Sequence, residues 1–178
     1  LLLKDGAMSY RADLSMSGGG NTARYFASLS YVEDQGMYNT DETLRKKYDT
    51  NANYKRWNYR MNVDIDVTPT TIIKLGVSGN LNKRNSPGLG DQYVWGELFG
   101  FNALSSPVLY SNGYVPAYGR QKYQMNPWVS ATRTGYNQEW DNNIQTNVTV
   151  DQKLDFITRG LSFTGRFGDD TSHRHTPY

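Results

Sequence analysis

The sequence predicts an all-β fold, a segment of a transmembrane antiparallel β-barrel, from three observations. Long stretches alternate apolar and polar residues with the period of two that gives a β-strand two different faces. The chain has 14 Tyr, 6 Phe and 4 Trp but a hydrophobic fraction of only 37%, which fits a barrel wall whose lumen and loops are wet. Short and long connections alternate between the predicted strands. Disorder does not explain this combination, because disordered chains contain few aromatic residues.

The clearest alternation occupies residues 54–81, where two long strands are separated only by Thr68-Pro69-Thr70. Proline is tolerated at such a tip, because its missing N–H donor lies outside the hydrogen-bonded ladder. The apolar face of the first strand consists of Trp57, Tyr59, Met61, Val63, Ile65 and Val67. We therefore interpret this stretch as a hairpin whose two faces lie in different surroundings.

The same criterion predicts six strands that form three hairpins. The turn between the first two contains Gly18, Gly19 and Gly20, which permit the positive φ of a tight turn. No Lys-Ser/Thr pair follows, so a phosphate-binding loop is excluded. The predicted strands are residues 9–17, 22–33, 54–67, 71–83, 138–151 and 160–170.

Two long connections, residues 34–53 and 85–137, show no period of two and are predicted to be exposed loops. Residues 43–48 are compatible with a few helical turns. Barrels of the outer membrane place short turns in the periplasm and long loops outside the cell. The connections therefore predict the orientation of the sheet, with both long loops extracellular.

Composition excludes several other classes of protein. A net charge of +2 is too near neutral to indicate a nucleic-acid partner. The chain has no cysteine, which excludes disulfides and thiolate sites. No apolar run approaches the roughly 20 residues that a spanning helix needs. Because the chain begins at Leu1, directly before strand-like sequence, we expect a piece of a longer polypeptide.

Large aromatic residues on the apolar faces support the membrane interpretation over a soluble all-β domain. Barrels carry girdles of aromatic residues at both membrane interfaces, whereas a soluble sandwich has no reason to place its aromatic residues at two levels. Tyr25 and Phe163 lie near the predicted turn ends. The residues predicted at the outer lipid interface are Tyr10, Tyr31, Trp57, Tyr59, Trp140 and Phe167.

Five motifs carry a family resemblance. They are SGGGNTARYFASLSYVEDQG (17–36), YKRWNYRMNVDIDVT (54–68), LSSPVLYSNGYVPAYG (104–119), NPW (126–128) and KLDFITRGLSFTGRF (153–167). In this order and spacing they resemble the barrel of SusC/RagA-type TonB-dependent outer-membrane transporters of Bacteroidetes.

The resemblance implies a barrel of 22 strands in the bacterial outer membrane, filled by an N-terminal plug and covered by a SusD-like lipoprotein lid. Such a transporter imports oligosaccharides or peptides with energy from TonB and uses no cofactor. This chain would supply six strands, because no plug, TonB box or further strand is recognised in it. Six strands cannot close a barrel of this kind.

The polar face of the third strand is the first candidate site. Its arginines are suited to bidentate hydrogen bonds with carboxylates or sugar hydroxyls along a solute path. The alternative, which we favour at this point, is a structural role in which these groups salt-bridge one another or hold the plug. The set predicted to face the lumen is Arg56, Asn58, Arg60, Asn62, Asp64 and Asp66.

Aromatic residues of the long loop 85–137 are the second candidate site. A single aromatic residue in a loop more often packs against the loop itself, but as a set these residues are suited to contacts with substrate or a lid protein. The part around residues 110–118 is the most favoured. The candidates are Trp95, Tyr110, Tyr114, Tyr118 and Trp128.

No catalytic or metal site is predicted. His173 and His175 are the only histidines, and without further ligands nearby except Asp169 and Asp170 we interpret them as part of a solvated strand end. A nucleophile with a positioned base and acid is not recognised. Two alternatives stay open. One is an outer-membrane β-barrel that is a structural or binding protein and is not coupled to TonB. The other is an outer-membrane hydrolase that uses one of the histidines.

Overall fold

The computed structural model describes residues 2–40, 48–100, 107–116 and 126–176. Six antiparallel strands form one sheet in the order of the sequence, which confirms the predicted all-β fold with three hairpins. The strands are β1 (Ser9–Gly19), β2 (Ala23–Asp34), β3 (Tyr54–Thr68), β4 (Thr71–Pro87), β5 (Tyr136–Lys153) and β6 (Ser162–His175).

The register keeps the alternation of neighbouring strands in phase. Trp57 of β3 lies opposite Tyr31 of β2 and Leu81 of β4, and Leu75 of β4 lies opposite Val148 of β5. Because opposite residues in an antiparallel pair share a face, most apolar residues of the six strands lie on one face of the sheet. We call this the outward face and the other the polar face. The exceptions, which lie opposite polar residues of β3 on the polar face, are Phe26, Val32 and Ile72.

Strands β4, β5 and β6 are longer than predicted. Hydrogen-bonded pairing of β4 with β5 continues to Pro87 and Tyr136, although the alternation fades there because Asn85 and Ser86 face Gln138 and Asn137. Strand β6 likewise runs to His175 instead of residue 170. These strand ends carry polar residues on both faces, so the period of two is lost there and the pattern does not show where the strand ends.

The long connection between β4 and β5 contains two short helices that the sequence did not predict, α1 (Asp91–Gly100) and α2 (Pro127–Thr132). Asn126 caps α2 by accepting a 3.0 Å hydrogen bond from the backbone N–H of Trp128, and Pro127 fits the first helical position. Neither helix, in the described part of the chain, is long and apolar enough to cross a membrane. The helical turns expected near residues 43–48 lie outside the described residues, except for Tyr48.

A small hydrophobic core lies beside the loop end of the sheet. It consists of Leu2, Tyr38, Val94 and Ala131, against which Trp128 packs. The bridge between Leu3 and Tyr38 ties the start of the chain to the residues after β2. The sheet itself encloses no core, since apolar side chains such as Leu14 and Met61 are 65% and 54% exposed. Its outward face therefore needs an apolar environment that these six strands do not supply.

Candidate functional site

Transverse rows of polar side chains cross the polar face, because the register aligns polar positions from strand to strand. Arg60 lies between Ser28 of β2 and Ser78 of β4. Asn58 lies in the adjacent row, between Ser30 and Asn80. The arginines of β3 are therefore surrounded by hydroxyl and amide side chains, which form a neutral patch in the middle of the polar face.

Ion pairs on the polar face lie around this neutral patch. Arg24 donates to both oxygens of Asp66, at 2.8 and 3.1 Å. Lys74 lies 2.7 Å from Asp151. Further pairs join Arg11 to Asp13 at 2.8 Å, Arg174 to Asp141 at 2.6 Å and Arg84 to Glu139 at 3.9 Å.

The polar residues of β3 do not salt-bridge one another, which corrects one part of the structural interpretation. Asp66 pairs with Arg24 of β2 instead of an arginine of its own strand. Arg60 and Asp64 are four residues apart on one strand, about 13 Å, too far for an ion pair along the strand. The sequence did not show this, because the partners depend on the register between strands.

Arg56 and Arg60 line a groove of about 290 Å³ on the polar face. The Arg56 Nε donates a 2.7 Å hydrogen bond to the Asn58 side chain, which lies between the two arginines. Sequence reasoning missed the neighbouring residues, because only the register brings β2, β4 and β5 beside β3. The other polar-face lining residues are Ser28, Ser30, Ser78, Asn80 and Gln145.

Aromatic residues on the outward face gather near its loop end. The rings of Tyr31 and Trp57 lie 5.4 Å apart, and the Tyr59 ring covers Gly79 on the adjacent strand. The Lys83 ammonium lies 4.7 Å from the centre of the Trp140 ring. Tyr10 shares that row at the β1 edge and is 46% exposed.

The apolar band on the outward face slants across the sheet. Its edge toward the loops is the row of Tyr31, Trp57 and Leu81 in β2, β3 and β4. The edge is displaced toward the turns to Ile144 in β5 and to Phe167 in β6. The row of Phe167 passes through Val63, about 20 Å along the strand from Trp57. A displacement of this kind is expected where strands are tilted, as they are in membrane barrels.

Beyond the slanted edge, the outward face of β5 and β6 is mostly polar. His173 and His175 belong to this corner, opposite Asn142 and Trp140, and do not face the groove of Arg56 and Arg60. The other polar residues of the corner are Asp169 and Thr171.

The predicted position of Phe167 toward the loop end of its strand is wrong. Because β6 continues to His175, Phe167 lies in the turn half of the strand and in the row of Tyr25. Rows run perpendicular to the strands, so in a tilted wall one row spans several depths. Phe167 is 71% exposed and lies at the loop-side edge of the slanted band.

The aromatic residues of the long loop divide into two groups. Trp95 contacts the rings of Tyr38 and Phe99, with ring centres 6.3 and 6.0 Å away, and Trp128 packs against the small core. Tyr110 and Tyr114 flank a turn and are 46% and 72% exposed. Tyr118 lies outside the described residues.

A buried polar cluster between α1 and α2 was also not predicted from the sequence. Burial, offset in part by the nearby Ser130 hydroxyl, raises the pKa of the Glu97 carboxyl. Burial and the adjacent Asp91 carboxylate raise the pKa of the Tyr38 phenol. Nothing in the sequence around Glu97 distinguishes it from an exposed helix residue.

Comparison with known proteins yields a likeness of structure alone. No family model matches the chain, and no curated protein matches it. A similar solved structure is that of the RagAB peptide importer in the "closed-closed" state, with a TM-score of 0.59 and 20% sequence identity. The match covers 96% of this chain and 18% of that chain. The chain thus shares its fold with a part of that importer.

Proposed function

We propose that this chain forms part of the wall of a TonB-dependent outer-membrane transporter, one that imports peptides or oligosaccharides together with a SusD-like lipoprotein. The observation that carries the proposal is the slanted apolar band on the outward face, with a polar face behind it. An exposed apolar face of this extent is a liability in water, but it is the surface that a barrel presents to lipid. The five motifs that resemble SusC/RagA-type transporters support the same function.

In this proposal the outward face contacts lipid, and the polar face contacts the plug and the transported solute. Strands β1 and β6 each have one partner in the described sheet. In lipid their free edges would cost several kcal/mol for each unpaired backbone group. Further strands of a barrel, 22 in total by the family resemblance, would pair with both edges.

Transport by such a wall is gated movement and requires no covalent chemistry in this chain. The exposed Tyr110 and Tyr114 of the long loop are suited to contact with the lipoprotein lid or with substrate, because aromatic side chains anchor interfaces. Similarity to a structure described as a peptide importer favours a peptide over an oligosaccharide as the solute.

Uptake with and without TonB tests the proposal. Cells that produce the complete transporter and its lipoprotein are given labelled peptides and labelled oligosaccharides, and accumulation is compared with that of a strain without TonB. We expect accumulation of one class of solute and its loss without TonB. Equal accumulation in both strains would favour a barrel that does not depend on TonB, and hydrolysis abolished by replacing His173 and His175 would favour an enzyme.

A further inference from the structure

Arg56 and Arg60 differ from most cations of the polar face. Five other cations there lie within 4 Å of a carboxylate: Arg11, Arg24, Lys74, Arg84 and Arg174. Arg56 has the neutral Asn58 side chain as its hydrogen-bond partner. Neither Arg56 nor Arg60 pairs with a carboxylate among the residues that the structure describes.

The surroundings of the two arginines donate and accept hydrogen bonds but do not neutralise charge. In the rows of Asn58 and Arg60, the facing residues of β2 and β4 are serines and an asparagine. Gln145 of β5 extends the row of Arg60. The two arginines therefore carry two positive charges among neutral polar side chains.

Both arginines line one groove, which brings them within reach of one ligand. Arg56 and Arg60 are four residues apart on one strand, about 13 Å. The hydrogen bond to Asn58 holds the Arg56 guanidinium over the space between them. Both side chains line the same groove of about 290 Å³, so one ligand in the groove reaches both.

Carboxylates match these groups in charge and shape. A guanidinium presents parallel N–H donors that fit the two oxygens of a carboxylate, and such bonds are stronger than those between neutral groups. Enclosure in a barrel would raise the cost of leaving the arginines unpaired, which a bound carboxylate would offset. We propose that Arg56 and Arg60 bind a carboxylate of the transported solute. This inference rests on the proposed function and narrows the substrate class to peptides bound through a free carboxylate or to acidic oligosaccharides.

Binding by matched pairs of ligands tests the inference. The complete transporter with its lipoprotein is purified, and Kd is measured for a peptide with a free or an amidated C-terminus. A second pair is a uronic-acid oligosaccharide and its neutral, carboxyl-reduced counterpart. We expect Arg60→Ala to weaken binding of the carboxylate form about tenfold or more and to leave the neutral form within about twofold. The pair that shows the difference identifies the source of the carboxylate.

Two further variants complete the experiment. Arg60→Lys keeps the charge but loses the planar fork, so it should restore part of the affinity. Arg11→Ala is the matched control, because Arg11 lies on the same face but pairs with Asp13, and we expect no change in the preference for carboxylate.

Two results would overturn the inference. One is equal weakening of both forms, or of neither, by Arg60→Ala. The other is a thermal stability without ligand that falls in Arg60→Ala while the preference for carboxylate is unchanged, which would indicate a contact with the plug. Either result alongside TonB-dependent uptake rejects this inference alone, whereas TonB-independent uptake rejects the proposed function.

Discussion

Glu97 is the one buried acidic residue of the described chain, with 7% of its surface exposed. It lies on α1, close to Ser130 of α2, and neither of its carboxylate oxygens has a hydrogen-bond partner of normal length in the described structure. A buried carboxyl without strong partners favours its neutral form, which explains the raised pKa.

Replacement of Glu97 by glutamine tests this explanation of the raised pKa. The native state holds the proton more tightly than the unfolded loop does, so native stability is complete below the ordinary carboxyl pKa and falls as the pH rises through the raised one. Glu97→Gln stays neutral, and we expect slower exchange of the α1 and α2 amides than in wild type at neutral pH. Hydrogen exchange in the complete protein at acidic and neutral pH, corrected for intrinsic rates, measures this.

The exposed Asp5 provides the control for Glu97. Asp5→Asn should leave exchange in α1 and α2 unchanged at either pH, since Asp5 lies outside the small core. If Glu97→Gln and wild type showed the same dependence of exchange on pH, the carboxyl of Glu97 would not be the buried titrating group.

At the scale of elements, β3, β4 and β5 approach one another closely at Gly79. A Cβ added to Gly79 would meet the carbonyl oxygen of Asn143 and the ring of Tyr59. The Tyr59 ring can therefore come this close to the adjacent strand because position 79 lacks a side chain. The glycine belongs to the packing of the outward face, where no turn or unusual φ requires it.

Substitution by alanine tests the contact between these strands. We expect Gly79→Ala to destabilise the complete protein by about 1–3 kcal/mol, the usual cost of overpacking, as a lower midpoint of thermal unfolding in detergent. The control is Gly165→Ala on β6, where an added Cβ would meet only the Phe163 ring at 3.3 Å. Equal midpoints for the two variants would show that neither the Tyr59 ring nor the Asn143 carbonyl opposes the added Cβ.

Elements were predictable wherever the two faces of a strand meet different surroundings. The alternation from Arg56 to Val67 predicted β3, because its apolar and polar residues are separated by face along that stretch. The ends of β4 and β5 carry polar residues on both faces and were missed. Helix α1 was missed because only Val94 and Glu97 of its ten residues are buried, too few for a helical pattern.

The candidate site was predictable in part for a related reason. Alternation within β3 predicted which residues share the polar face with Arg56 and Arg60, and the register agrees. The pairing of Asp66 with Arg24 depends on how β2 lies beside β3, which no pattern within one strand reports. The neutral polar side chains around the arginines therefore could not be predicted from the pattern within one strand.

For the whole molecule, the central claim is that the sheet is a tilted wall with lipid against its outward face. Met61 and Asp169 separate this claim from a soluble sheet, because both lie on the outward face in one row, through Val77 and Thr146. In a tilted wall Met61 lies within the apolar band, while Asp169 lies beyond Phe167, the edge of the band in β6, on the side of the loops. In a soluble sheet the two positions have no reason to differ in this way.

Spin labels at these two positions measure the difference directly. The chain has no cysteine, so Met61→Cys and Asp169→Cys each add one labelling site in these residues of the complete protein in lipid vesicles. We expect the label at residue 61 to collide mainly with oxygen, which concentrates in lipid, and the label at residue 169 mainly with a water-soluble nickel chelate. Equal accessibility to the nickel chelate at both positions would contradict the tilted membrane wall.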